Sequence, residues 1–150
     1  MRVDYRLSGM GWAQCKVEIA GQQVEVIASY LTDALDDLLA ATIAVVRGAE
    51  GATFSFEAEP EEVRWQLRRA GPDRLRVRIL RLEDSAHHLP DDRGEVLLDA
   101  ECRLRTFAGQ VLSAAQRVLA EHGPAGYRKE WGMHDFPLER MRSLEAALRI

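Results

Sequence analysis

The sequence predicts an α+β fold in which an antiparallel sheet carries helices packed on one face. Three observations support this prediction. Apolar and polar residues alternate along several short segments, as in strands with one buried face. Short turns join these segments, which favours a hairpin and a meander. Longer segments repeat apolar residues at helical spacing and end at glycine. We expect a sheet of about five to six strands and two or three helices in one domain, residues 1–150.

The N-terminal third is predicted to form a hairpin followed by a helix. Residues 12–20 alternate between apolar and polar, and residues 24–28 do so again after a glycine-containing turn. Residues 3–7 are expected to add a strand at the edge. The helix begins at Asp33 or the residue before it, where acidic residues favour the first turn, and Gly48 closes it.

Three further strands are predicted in the middle of the chain. Residues 54–58, 63–67 and 75–79 alternate and are separated by short turns, which is typical of an antiparallel meander. The polar segment 83–94 contains Pro90 and is expected to be the longest loop.

The last third combines a strand with helices. Alternation from residue 95 gives way to helical spacing near residues 100–103, and Gly123-Pro124 is expected to end that helix. A linker containing Tyr127 and Trp131 then leads to a short terminal helix that Pro137 opens.

Composition excludes several classes of protein. The chain is 47% hydrophobic and 29% charged, with a formal net charge of -4, which argues against a nucleic-acid binder or an anionic-membrane binder. No apolar run is long enough for a membrane span, and the N-terminus lacks the apolar segment of a secretory signal. Two cysteines fit a reducing compartment. We therefore expect a cytoplasmic protein.

Catalytic and metal-binding motifs are scarce. His87-His88 lies among carboxylates in the long loop, but adjacent histidines point in different directions, so a solvated loop is favoured over a metal site. His134-Asp135 allows a general base, although a structural role near the terminal helix is favoured. Cys15 and Cys102 lie on apolar faces and are expected to be buried and inert. These features predict no cofactor and no catalytic residue.

An arginine stripe lies on the polar face of the meander and includes Arg64, Arg76 and Arg78. Guanidinium groups across a sheet bind phosphates or acidic partners, while the same alternation also arises on a solvated face. Glu57 and Glu59 on the preceding strand are expected to neutralise part of the stripe through cross-strand pairing. Nucleic acid is disfavoured because no exposed aromatic residues interleave with the arginines.

Carboxylates cluster at the start of the first helix, at Asp33, Asp36 and Asp37, and again around Glu57 and Glu59. Such clusters steer and select a basic partner. Aromatic residues crowd into the segment before the terminal helix, at Tyr127, Trp131 and Phe136. They either pin the segment to the core or, as with Trp131, contribute to a binding surface.

A family resemblance rests on residues spread over most of the chain. They are Trp12, Ser29-Tyr30-Leu31-Thr32-Asp33-Ala34-Leu35, Phe56, Glu59-Pro60, Arg64-Trp65, and Tyr127, Trp131 and Phe136-Pro137. In this combination the chain resembles a set of small bacterial single-domain proteins of uncharacterised function. Some proteins of this size and style look like immunity proteins of bacterial toxin systems. The resemblance implies a compact domain and supplies no catalytic residue.

Two functions compete. The leading hypothesis is a non-enzymatic cytosolic protein-binding module, of the type that neutralises a bacterial toxin. The alternative is a small enzyme or ligand-binding protein with a pocket between sheet and helices, lined by Trp65 and Trp131. A homodimer formed through a sheet edge is compatible with either hypothesis.

Overall fold

The computed structural model describes residues 1–149 and has the predicted α+β fold. Its elements in chain order are β1 (Arg2–Gly9), β2 (Trp12–Ile19), β3 (Gln22–Ser29), α1 (Ala34–Val46), β4 (Gly51–Glu57), β5 (Glu62–Arg69), β6 (Arg74–Leu82), β7 (Glu95–Arg103), α2 (Leu104–Trp131) and α3 (Leu138–Leu148). A single 3-10 turn, Asp91–Arg93, lies between β6 and β7 in the predicted loop.

The strands form two antiparallel sheets, of order β1-β2-β3 and β4-β5-β6-β7. The predicted hairpin and meander are confirmed, but the prediction of one sheet was wrong. Helix α1 separates β3 from β4, so the chain leaves the first sheet before it starts the second, and no ladder joins these two strands. The strand count was also low, since the described residues contain seven full strands, including the expected edge strand at the N-terminus.

One continuous apolar core joins both sheets and the three helices. Strand alternation explains it, because the apolar positions of each strand face inwards. Helix α2 lies along β1, and α1 packs against β4 and the other two helices. The largest fully buried side chains are Trp65, Trp131, Tyr5, Tyr127 and Phe56. Phe54 stacks on Trp65 with 5.3 Å between ring centroids, so aromatic packing anchors the second sheet to the core.

Side-chain amides cover two strand edges. The Gln22 side chain at the start of β3 donates to the Asp99 carbonyl of β7 at 2.8 Å and accepts from its N–H at 3.0 Å. At the edge of β1, the Val3 N–H donates to Oε1 of Gln110 in α2 at 3.2 Å. Both contacts supply backbone groups with the partners that an open edge lacks.

Helix α2 begins directly after β7, at the predicted strand-to-helix change. It is interrupted at Gly123, whose φ of 65° ends the first segment as expected. The predicted linker is instead a second helical segment, because Pro124 fits the first turn of a helix. Tyr127 and Trp131, four residues apart, therefore both face the core. Within residues 1–149 no helix has the length and apolarity that a membrane crossing requires.

Candidate functional site

Three loops meet at one end of the molecule: the β1–β2 tip, the β3–α1 connection and the α2–α3 connection. The Gly11 N–H donates to the Glu130 carbonyl at 2.8 Å, which joins the first loop to the last turn of α2. Gly11 has a φ of +82°, and a Cβ there would lie 2.8 Å from the Tyr30 ring, so glycine permits the close approach. Nδ1 of His134 lies 3.7 Å from Oδ2 of Asp33, which joins the other two loops.

Each of these loops exposes one large apolar side chain. Met10 is 93% exposed, Leu31 48% and Met133 60%. They are three of the five large apolar side chains that residues 1–149 expose. Apolar side chains gathered at one place mark contact surfaces, and methionine adapts well to a partner's shape.

Three carboxylates, Asp33, Asp36 and Asp37, lie at the start of α1, directly after the loop that exposes Leu31. Asp36 accepts a hydrogen bond from Nε of Arg140 at 3.0 Å. Asp33 holds the N-cap position, as predicted, but its side chain makes no capping bond and instead faces His134. Its Oδ1 is buried and has no hydrogen-bond partner in residues 1–149. The Asp37 carboxylate has neither a hydrogen bond nor an ion pair with any described residue. We call these carboxylates, with Met10, Leu31 and Met133, the loop end.

The pKa of Asp37 is raised to about 6, by burial first and by the charges of Asp33 and Asp36 second, while His134 and Arg140 act in the opposite direction. Burial also raises the pKa of Asp33. The charged form of both groups is therefore disfavoured in the free protein. A cation on a partner would stabilise the charged carboxylates and offset the free-energy cost of their burial.

Buried hydroxyl groups lie behind Asp33. The hydroxyls of Tyr5, Tyr127 and Ser29 are buried and have no hydrogen-bond partner among residues 1–149. Burial raises the pKa of both tyrosines, and the charge of Asp33 contributes to each rise. Both phenols are therefore neutral near pH 7, which argues against either acting as a general base.

The apolar part of the loop end was not predicted from the sequence. Met10 lies between Gly9 and Gly11, and Met133 follows Gly132. These glycines have positive φ angles that belong to turns. A methionine flanked by turn glycines does not belong to the buried face of a strand. The sequence therefore contained a signal that these two side chains are exposed.

The arginine stripe lies on the outer face of the four-stranded sheet, where it was expected. Arg64 donates from Nε to Glu62 at 2.8 Å and from Nη1 to Asp91 at 2.7 Å. Arg76 binds Asp99 with two hydrogen bonds, at 2.8 and 2.7 Å. Much of the stripe is thus neutralised by carboxylates from three different segments.

Glu57 and Glu59 do not supply that neutralisation, so this prediction was wrong. Neither side chain makes an ion pair with a described residue. Glu57 lies opposite Glu62 at the end of the β4–β5 ladder. Glu59 is exposed in the following turn, where its φ is 42° and its bond to Pro60 is cis. Neither residue therefore neutralises the stripe.

Arg78 lies between these two networks. Its Nη1 donates to Oε1 of Gln66 at 3.1 Å, and its Nε lies 3.4 Å from Oδ2 of Asp99 without forming a hydrogen bond. Its side chain borders the largest groove of the outer face.

Trp131 is fully buried, so it packs in the core and does not present a binding surface. Trp65, the other wall of the predicted pocket, is fully buried as well and stacked on Phe54. A groove of about 590 Å³ lies on the solvent-facing side of the second sheet, and neither tryptophan lines it. Because both tryptophans are fully buried, neither lines an open pocket in residues 1–149.

Both cysteines lie in the core, and His87 lies on the surface. Cys15 and Cys102 are free and buried, and burial raises the pKa of both thiols, that of Cys102 to about 11. His87 is exposed and its Nδ1 lies 2.6 Å from Asp84. Among residues 1–149, no group of three or more His, Cys, Asp and Glu side chains is arranged to hold a metal ion.

Comparisons with protein-family models, curated proteins and solved structures find no match to this chain.

Proposed function

We propose that this chain is a non-enzymatic cytosolic protein-binding module whose loop end recognises a basic surface on another protein. One observation carries the proposal. The exposed side chains of Met10, Leu31 and Met133 lie on loops that meet beside three carboxylates, and Asp37 among them has no cation partner in residues 1–149. An apolar centre with charged groups at its border is typical of a protein interface.

The shape of the loop end favours a protein over a small molecule. Small-molecule sites are concave and enclose most of their ligand. Met10 projects from a hairpin tip, and Met133 from the loop after α2. Projecting apolar side chains of this kind insert into hollows on a partner.

Charge determines which partner fits. The chain has a net charge of -4, and two of the three α1 carboxylates lack an arginine or lysine partner among the described residues. Their field attracts a basic surface and speeds its encounter. The resemblance to immunity proteins of bacterial toxin systems supports a toxin with a basic surface as that partner.

Native mass spectrometry of untagged protein from its own host tests the proposal. We expect a co-purifying polypeptide whose retention falls as salt rises, because exposed charges are screened. Met10→Ser and Asp37→Asn should each lower its retention, since one removes the projecting side chain and the other the unpaired charge.

Asp92→Asn is the matched control, because Asp92 is exposed in the 3-10 turn of the long loop. It should retain the partner as the unaltered protein does. Equal retention by all three variants would place the interface elsewhere. A bare monomer or homodimer after repeated purification in mild salt would refute a stable partner complex.

A further inference from the structure

A groove of about 590 Å³ lies on the outer face of the four-stranded sheet. Gln66, Arg68, Arg76 and Arg78 border it, with Asp91 at one side. Small residues at the start of β4 keep the groove open. A Cβ on Gly51 would lie 2.7 Å from the Leu67 carbonyl oxygen, so a side chain there would displace the strand. The volume is within the range of ligand sites in proteins.

In the strand register around the groove, arginines on neighbouring strands lie directly opposite each other. Arg68 of β5 lies opposite Arg76 of β6, and Arg74 of β6 lies opposite Arg103 of β7. Like charges directly opposite each other destabilise a sheet. The side chains of Arg68, Arg74 and Arg103 have no ion pair or hydrogen bond with any described residue. The sheet therefore holds cations here without the carboxylates that neutralise Arg64.

This half of the outer face is positive, although the chain as a whole is acidic. It carries five arginines: Arg68, Arg74, Arg76, Arg78 and Arg103. Three carboxylates border the groove or lie opposite one of these arginines: Asp91, Asp99 and Glu101. Asp91 is also bound by Arg64 and Gln66, so it adds little negative charge to the groove.

Several guanidinium donors remain free at the centre of the groove. The Asp99 carboxylate accepts hydrogen bonds from Nε and Nη2 of Arg76, and the Gln66 amide oxygen accepts one from Nη1 of Arg78. Nη1 of Arg76, Nη2 of Arg78 and the whole guanidinium of Arg68 have no acceptor among residues 1–149. Neighbouring arginines with free donors match the oxygens of phosphate and carboxylate groups.

We propose that this groove binds a multivalent oxyanion, held by Arg68, Arg76 and Arg78. The anion supplies the acceptors that these side chains lack and separates the opposed arginines. Phosphate groups and polycarboxylates share this chemistry. The site is separate from the loop end, and the proposal stands whether or not a protein partner binds there.

Titration calorimetry and thermal unfolding at constant ionic strength test the proposal, with inorganic phosphate, succinate and citrate as separate probes. We expect saturable binding of at least one probe and a matching rise in the unfolding temperature. Arg68→Gln should weaken the binding about tenfold, because it removes charge-assisted hydrogen bonds. Its side chain contacts no acceptor in the described residues, so the fold should persist.

Two further variants sharpen the test. Arg47→Gln removes an exposed arginine at the end of α1 and should leave the affinity unchanged. Asp99→Asn removes a competing carboxylate and should strengthen binding. Binding of phosphate alone identifies a phosphoryl ligand, and binding of citrate or succinate identifies a carboxylate ligand. No saturable binding, or equal weakening by Arg68→Gln and Arg47→Gln, would overturn the proposal.

Discussion

Replacing Asp37 with asparagine should stabilise the free protein at neutral pH. Asp37 lies half-buried in the first turn of α1 without a cation partner in residues 1–149, and Asp33 and Asp36 add repulsion. Asparagine has nearly the same shape as a protonated aspartic acid, so the variant keeps the packing and removes the charge. We expect this gain because an uncompensated charge in a partly buried position is costly.

The magnitude follows from linkage. Folding raises the pKa of Asp37 from 3.8 to about 6, so the folded state binds its proton more tightly than the unfolded state. This group therefore stabilises the fold fully below about pH 4, and the contribution is lost as pH rises through about 6. The full shift corresponds to at most about 3 kcal/mol. Partial exposure screens the charge, so we expect about 1 kcal/mol.

Urea unfolding of both proteins at a series of pH values between 4 and 8 measures the effect. At pH 7.5 Asp37→Asn should be more stable by about 1 kcal/mol, which corresponds to a melting temperature about 2–4 °C higher. Near pH 4 the two proteins should have nearly equal stability. The difference between them should therefore grow with pH across the window from 4 to 6.

Two controls separate this effect from general charge removal. Asp36→Asn loses the hydrogen bond from Arg140 and should bring no gain. Asp92→Asn changes an exposed carboxylate and should alter stability by less than about 0.5 kcal/mol. A loss of stability in Asp37→Asn at pH 7.5, or a difference that does not vary with pH, would refute the assignment of an unpaired charge.

Three further changes test other parts of the structure. Arg64→Ala leaves the carboxylate of Glu62, which is only 7% exposed, without its cation, and should cost about 3–5 kcal/mol in urea unfolding; unchanged stability would contradict the burial of this ion pair. Gly11→Ala places a Cβ 2.8 Å from the Tyr30 ring at a φ of +82° and should cost about 1–3 kcal/mol; an unchanged melting temperature would mean that the hairpin tip does not pack there. Iodoacetamide should modify Cys15 and Cys102 slowly at pH 8 in the folded protein and rapidly in urea, because burial raises both thiol pKa values; rapid labelling of the folded protein at either residue would contradict their burial.

Local patterns predicted most elements and did not predict how the sheets divide. Alternation located the strands, and the change of spacing near residues 100–103 located the start of α2 to within a few residues, because side-chain period is a local property. The split into two sheets depends on whether β3 pairs with β4, and no pattern in either segment encodes that choice. The second segment of α2 was not predicted. Gly123 ends the first segment, but Pro124 directly after it begins the second.

The candidate site was likewise predicted only in part, where it depends on residues close together in the sequence. The α1 carboxylates were predicted together because one helical turn holds them. Their neighbours were not predicted, since the hydrogen bond between Gly11 and Glu130 and the approach of His134 to Asp33 join residues far apart in the chain. The arginine stripe was also predicted, because it follows from local alternation along the strands. Its carboxylate partner Asp91 was not predicted, because Asp91 lies in a loop that folds back over the sheet.

Unpaired charge is a feature of both proposed surfaces. Asp4 accepts a hydrogen bond from Arg117 at 2.5 Å, and Arg64 lies within reach of two carboxylates. Asp37 and Arg68 have no such partner in residues 1–149. Natural sequences depart from local pairing rules mainly at functional or strained sites. If both charges serve binding, neutralising either one should leave the free protein as stable or more stable while it weakens a complex. A role in folding alone predicts the opposite sign for stability.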